Sequence, residues 1–216
     1  MLVGRGVALA VAAPVVAATA SVAAVFLSGA HRRLGASVEE VRMSLPGDEL
    51  LPTAQVQNDR ACTLPAAPAD VWPWIAQLGQ DKAGFYSWEA LENLAGCQIV
   101  GATRVHPEWQ NIAVGDPFRL HPDVALRVAR VEPGRALVVT SQGGDALGDM
   151  AIETTWAFCL SPIDGSTGSP ATRLHLRERY CTPSRASRAL TEATSVISAL
   201  MSWRMMSNLA ALVSVS

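Results

Sequence analysis

The stretch Ala69 to Gly96, ADVWPWIAQLGQDKAGFYSWEALENLAG, decides how this chain is read. Pro68, just before it, suits the first turn of a helix, where a missing N–H costs nothing and a fixed φ helps. Val71, Trp72, Ile75 and Leu78 then recur at helical spacing through Gln80. Gly79 and Gly84 bracket a bend crowded by aromatic residues. Ser87 is placed to cap a second helix, Trp88 to Leu94, and Glu89 complements the dipole of its first turn. Gly96 stands where that helix would stop. Two helices this short need large side chains and a broader surface on which to bury them.

The rest of the chain supplies such a surface. Gln55–Leu64 reads as a first strand, ended by Pro65. After Gly115-Asp116 the pattern turns to period two. Leu126–Val131 and Ala136–Ser141 flank Glu132-Pro133-Gly134-Arg135, whose central Pro-Gly specifies a type II turn. A Gly143-Gly144 loop leads to the strand Ile152–Leu160, and the loop Ser161–Pro170 returns into Ala171–Tyr180. Ser184 opens a long helix in which Leu190, Ala193, Ile197, Leu200 or Met201, Met205, Leu209 and Leu212 recur every three or four residues. The stripe Leu190/Ile197/Leu200/Met205 is therefore expected against the concave face of the sheet. Strand, two short helices, antiparallel strands and one long helix make an α+β fold.

The hairpin Ile152–Tyr180 is the richest in chemistry. Thr154, Trp156, Phe158 and Leu160 share one face, as do Leu174, Leu176, Glu178 and Tyr180 opposite them. A register with Trp156 near Leu176 and Thr154 near Glu178 pairs the apolar faces, since a one-residue slip would invert every side chain. A carboxylate on a core face is costly unless paired. Glu178 is thus either a ligand-contacting acid or base, or part of an ion pair or a bond to Tyr180. The alternate face, Arg173, His175, Arg177 and Arg179, reads most simply as a solvated outer surface, or as one facing anionic lipid.

Glu92, Asn93, His106, Glu108, Asp116 and His121 are further polar candidates. His106-x-Glu108 has the spacing of a zinc-deaminase pair, but no Pro-Cys-x-x-Cys follows. There is no Gly-x-Ser-x-Gly elbow and no phosphate-binding glycine motif. The sequence assigns no catalytic residue, no metal ligand and no cofactor. Cys62, Cys97, Cys159 and Cys181 are widely spaced; buried free thiols are the simpler reading, and disulfides in an oxidising compartment the other.

Val71-Trp72-Pro73-Trp74, Gly84-Phe85-Tyr86-Ser87, Leu91-Glu92-Asn93, Pro107-Glu108-Trp109-Gln110, Val131 to Leu137, Thr155-Trp156-Ala157-Phe158 and Leu176 to Tyr180 follow one another in a recognisable order. Over roughly residues 38–208 the chain resembles the START-like superfamily of helix-grip proteins, also called SRPBCC or polyketide cyclase-like. The resemblance implies a curved antiparallel sheet around the last helix and an apolar pocket between them. Trp74, Phe85, Tyr86, Trp109, Trp156, Phe158, Glu178 and Tyr180 are the expected ligand-binding residues. It also admits two functions: a binder of a lipid or polyketide-like molecule, or an aromatase, cyclase or dehydratase acting on a polyketide-like substrate. In the second, Glu178, Tyr86, Tyr180 and His106 would supply acid–base groups.

Half of the 216 residues are hydrophobic and only 17% are charged. Much of that excess lies in Gly6–Ala30, which contains no charge and is long enough to span a bilayer. It exceeds the roughly 7–15 residues of a signal-peptide core, so a retained single-pass anchor is expected. Cleavage after Ala20 or Ala30, with export, is the alternative. Arg32-Arg33 lean the domain toward the cytoplasm. The expected organisation is a membrane segment over 1–34, a connector over 35–53, in which Ser37 is placed to cap a short helical turn through Met43, and the helix-grip domain over 54–216. Three of the 17 basic residues precede Leu34, leaving 14 against 19 acidic ones in the remainder. That balance argues against nucleic acid as a partner. The expected partners are a hydrophobic small molecule or lipid, and the membrane through residues 6–30.

Overall fold

Period-two segments and turn residues build one antiparallel sheet of six strands: β1 Val56–Leu64, β2 Pro117–His121, β3 Val124–Glu132, β4 Ala136–Thr140, β5 Glu153–Asp164 and β6 Pro170–Cys181. In this computed structural model residues 28–142, 151–165 and 168–215 are described. The expected membrane segment therefore lies outside the described residues except for its last three positions, as does the Gly143-Gly144 loop. The strand order is β1-β6-β5-β4-β3-β2. Among the described residues four α-helices accompany the sheet: α1 Val38–Arg42, α2 Pro68–Ala76, α3 Glu89–Leu94 and α4 Arg185–Val213. A six-stranded antiparallel sheet with a long C-terminal helix fits the helix-grip α+β fold.

Several local expectations hold. Ser37 caps α1 with a full capping box, and Ser184 caps α4 in the same way. Gly134 takes φ 73 in the Pro-Gly turn, which the Arg135 N–H closes onto the Glu132 carbonyl at 2.9 Å. Others need correction. Strand β2 was not expected; in its five residues only Phe118 is fully buried, too little alternation to notice. Helix α3 begins at Glu89 with Trp88 as its uncapped N-cap, because the Ser87 hydroxyl donates to Met201 Sδ of α4 instead. The β5/β6 register is displaced by two residues from the expected one: Trp156 faces Glu178, Phe158 faces Leu176 and Thr154 faces Tyr180. A shift of two keeps every side chain on its expected face.

The face of α4 is the larger correction. Leu190, Ile197 and Leu200 are 56%, 63% and 54% exposed, and Trp203 is half exposed. The buried face carries Thr191, Ser195, Ala199 and Ser202, and then Met205, Met206, Leu209 and Val213. The reason lies beneath the helix. Its first half covers the polar side chains of Arg60 and Glu178, to which it offers a carbonyl and a hydroxyl, and small residues allow that approach. Its second half joins the main core with Leu64, Ile75, Leu137, Phe158, Leu174 and Leu176.

The outer face of the sheet is not a solvated arginine row. The connector crosses it, placing Leu45 against Ala136, Val138, Ala157 and Cys159 in a second small core. Gly47 sits over Val138 at φ 95, where a Cβ would stand 2.5 Å from Val138 Cγ1. Arg177, 2% exposed, donates to Asp59 at 2.7 Å, to Asp48 at 2.7 Å and to the carbonyls of Glu40, Val41 and Met43. Asp59 also meets His175 Nε2 at 2.8 Å. Burial pushes Asp59 upward, but its bonds from His175, Gln57 and Arg177 outweigh that and hold it below the usual carboxylate range. Arg173, farther along, forks onto Glu40. The connector is thus clamped to the sheet through these buried charges.

Candidate functional site

Strand alternation brings Asn58, Glu178 and Trp156 into one row across β1, β6 and β5 on the concave face. Next to Asn58 on that face stands Arg60, fully buried. Its Nη1 lies 2.9 Å from Glu178 Oε1, and its Nη2 donates to the Ser195 carbonyl of α4 at 3.3 Å. Ser198 donates to Glu178 Oε1 at 2.5 Å, and Asn58 and Tyr180 to Oε2 at 3.1 and 3.2 Å. Burial alone would raise the Glu178 carboxyl. The Arg60 charge and the bond from Ser198 outweigh it, so Glu178 remains ionised below the usual carboxylate range. Burial and the Glu178 charge push the Tyr180 phenol well up.

Above this cluster, between the sheet, α3 and α4, lies a cavity of about 150 Å³. Phe85, Trp156, Met201 and Met205 give it apolar walls; Glu178, Ser198 and Glu92 are its main polar groups. The Trp156 ring lies tilted against Phe158 at 4.5 Å and stacks on Phe85 at 6.2 Å between ring centroids, while its indole Nε1 is buried without a hydrogen-bond partner. A second cavity, of about 280 Å³, adjoins the first through the shared residues Ser87 and Glu92 and is walled by Tyr86, Ile99, Ala102 and Leu212.

The bend foreseen between the two short helices shapes both. Tyr86 adopts φ 53, a region costly for a bulky residue unless its surroundings over-determine it. They do. Its hydroxyl accepts from Gln77 Nε2 at 2.8 Å and donates to the Trp74 carbonyl at 3.1 Å, and Asn208 of α4 donates to its carbonyl at 2.7 Å.

Glu92 is the outlier among the polar residues. It projects from α3 into the wall common to both cavities, is 9% exposed, and its Oε2 has no hydrogen-bond partner. Burial and the neighbouring Glu89 charge push its pKa up to about 7. Neither cavity is lined by lysine, arginine or histidine among the described residues.

Of the eight expected ligand residues, Phe85, Trp156 and Glu178 line the first cavity and Tyr86 the second. Trp74 and Phe158 are packed in the main core. Tyr180 reaches the site through its bond to Glu178. Trp109 lies apart at a surface cleft shared with Lys82 and His106, stacked 4.2 Å from the His106 ring; His106 in turn bonds Glu108 at 3.0 Å. Arg60 was missed because β1 alone gave no reason to place it beside Glu178, although its alternation with Asn58 was the available signal. Ser198 and Ser202 were missed with the face of α4, on which Met201 had stood only as the alternative to Leu200.

No family model and no curated protein sequence matches this chain. Among solved structures it is similar to protein CV1439 from Chromobacterium violaceum, with 16% identity over 73% of this chain and 96% of that one and a TM-score of 0.41. Protein MLL2253 from Mesorhizobium loti gives 17% over 74% and 98%, with a TM-score of 0.41. Norcoclaurine synthase from Thalictrum flavum, solved with dopamine and hydroxybenzaldehyde, gives 13% over 79% and 94%, with a TM-score of 0.37. Likenesses this distant carry no argument about function. The fold assignment stands on the chain's own sheet order and C-terminal helix.

Proposed function

We propose that this protein binds a hydrophobic or amphipathic small molecule, lipid or polyketide-like, between its sheet and α4 while tethered to a membrane by residues 6–30. The observation that carries the reading is the pair of adjoining cavities, apolar in their walls, with a few converging polar groups of which two, Glu92 Oε2 and Trp156 Nε1, lack protein partners. Concave, mostly apolar sites with few placed polar groups are what small ligands occupy. The tether is supported by the length and uncharged character of Gly6–Ala30, which suffice to cross a bilayer.

Saturable binding of a hydrophobic fluorescent probe by the full chain in nanodiscs tests the cavity. Ser202→Phe should fill the smaller cavity and weaken binding, whereas unchanged affinity in a folded variant would count against the site. Intact-mass analysis of the membrane fraction tests the tether, and a mature protein starting near Ser21 or His31 would remove it.

An enzyme of the aromatase, cyclase or dehydratase type is a second reading, favoured by one observation. Glu92, with a pKa near 7, and the ionised Glu178 line one cavity with opposite proton preferences, as acid–base pairs do. In that case Glu92→Gln abolishes turnover of a polyketide-like substrate and leaves its binding intact.

A further inference from the structure

We infer that the ligand is an organic cation, an amphipathic amine whose ammonium group meets the Glu92 carboxylate while its apolar body lies against Phe85, Trp156, Met201 and Met205. The inference rests on the binding reading above and names the ligand's chemical class.

The argument begins with what Glu92 lacks. Buried carboxylates are ordinarily paired, since a charge left alone in an apolar setting is costly. This chain observes the rule at Asp59 and at Glu178. It breaks the rule once among the carboxylates that line these cavities, at Glu92, whose Oε2 is buried and unpartnered at the one wall the two cavities share. Glu89, one turn earlier on α3, lines the larger cavity too, its own Oε2 accepting from the Gly101 N–H at 3.0 Å. Residues three apart on a helix are neighbours, so two acidic groups bear on one space. Among the described residues that line the two cavities, none is a lysine, arginine or histidine. Cys97, which follows α3, is a thiol raised by burial and by Glu92 itself; Tyr86 is a phenol engaged with Gln77 and Trp74; Glu178, across the smaller cavity, is neutralised by Arg60.

Ligand class follows from that field. A fatty acid or other anion would add a negative charge to the Glu89/Glu92 pair and is disfavoured. A neutral amphiphile could take a hydrogen bond from protonated Glu92 but gains nothing from Glu89. An ammonium gains from both and can also sit near aromatic faces, which attract cations. At neutral pH its binding ionises Glu92 and displaces that proton to solvent, so charge and protons balance.

The experiment compares three isosteric probes, n-octylamine, 1-octanol and octanoate, by calorimetry on the full chain at pH 7, with wild type and Glu92→Gln. Octylamine should bind about ten- to a hundredfold more tightly than octanol, the span expected of a hydrogen bond to a charged group, and octanoate most weakly. In Glu92→Gln the amine should fall to the level of the alcohol, whose affinity changes little; the smaller effect of Glu89→Gln checks the second carboxylate. Octylamine affinity should rise from pH 5 to pH 8 as Glu92 gives up its proton. If octanol binds saturably and octylamine no better, or if octanoate binds best, the inference fails and the binding site stands. If none of the three binds, both fall together.

Discussion

Glu178 and Glu92 line one cavity from opposite walls, the sheet and α3, and their surroundings treat them in opposite ways. Glu178 is met by Arg60, Asn58, Tyr180 and Ser198, drawn from two strands and α4. Glu92 has an oxygen that none of them reaches. Similar burial therefore yields a group held charged at neutral pH in one case and, in the other, one poised between charge states near neutrality. The first reads as architecture, since its partners tie β1, β6 and α4 together. The second reads as a place left open for something else.

The largest effect belongs to the paired carboxylate. Arg60→Met should destabilise the protein by about 3–5 kcal/mol, because it leaves Glu178 buried without its counter-charge. Adding Glu178→Gln should restore much of the loss, as replacing both partners of a buried pair does. Chemical denaturation of the single and double variants checks this. An Arg60→Met variant as stable as wild type would mean that Glu178 is not held by that pair.

Glu92→Gln should act in the opposite direction. The ordinary value of 4.5 is raised to about 7 in the folded state, so the fold holds this proton more tightly than the unfolded chain does. The stability it contributes is full below pH 4.5 and is lost as pH rises through 7. At pH 8 the glutamine variant should therefore be more stable than wild type by about 3 kcal/mol, from roughly 1.4 kcal/mol for each pH unit between 4.5 and 7, and nearly equal at pH 4. Glu178 behaves the other way. Its depressed pKa gives stability at neutral pH that fades as pH falls below 4.5.

The smallest effect tests the helix that covers both groups. Leu200→Asp should change stability by no more than about 0.5 kcal/mol, as exposed positions do, because Leu200 is half exposed. A thermal melt showing collapse would return the Leu190/Ile197/Leu200 stripe to the core.

These contrasts mark what could be read from the sequence. Period two assigned the faces of β5 and β6 correctly even though the register was two residues out, because alternation fixes parity and only the loop fixes position. Caps at Ser37 and Ser184 were local and legible. Which side of each element would be covered was not. Arg177 alternates as a surface residue does, yet the connector buries it; nothing within β6 encodes a segment that crosses from about 130 residues away. The apolar stripe of α4 misled for the complementary reason. The polar cluster on the sheet requires small and hydroxyl residues above it, and those do not score as a hydrophobic face. Glu178 stood out as a carboxylate in an apolar row. Glu92 could be only one of six polar candidates, since its distinction is the absence of a partner, and absence appears only once the neighbours are placed.

The most direct test is a site-resolved titration of the two carboxyl groups by carbon NMR, on protein labelled at the glutamate side chains and assigned through Glu92→Gln and Glu178→Gln. Glu92 should titrate near pH 7 in the free protein and shift downward when octylamine is added, while Glu178 stays ionised to below pH 4.5 in both. If Glu92 titrates near 4.5 in the free protein, like an ordinary surface glutamate, it is not the open position of a ligand cavity and the account is contradicted.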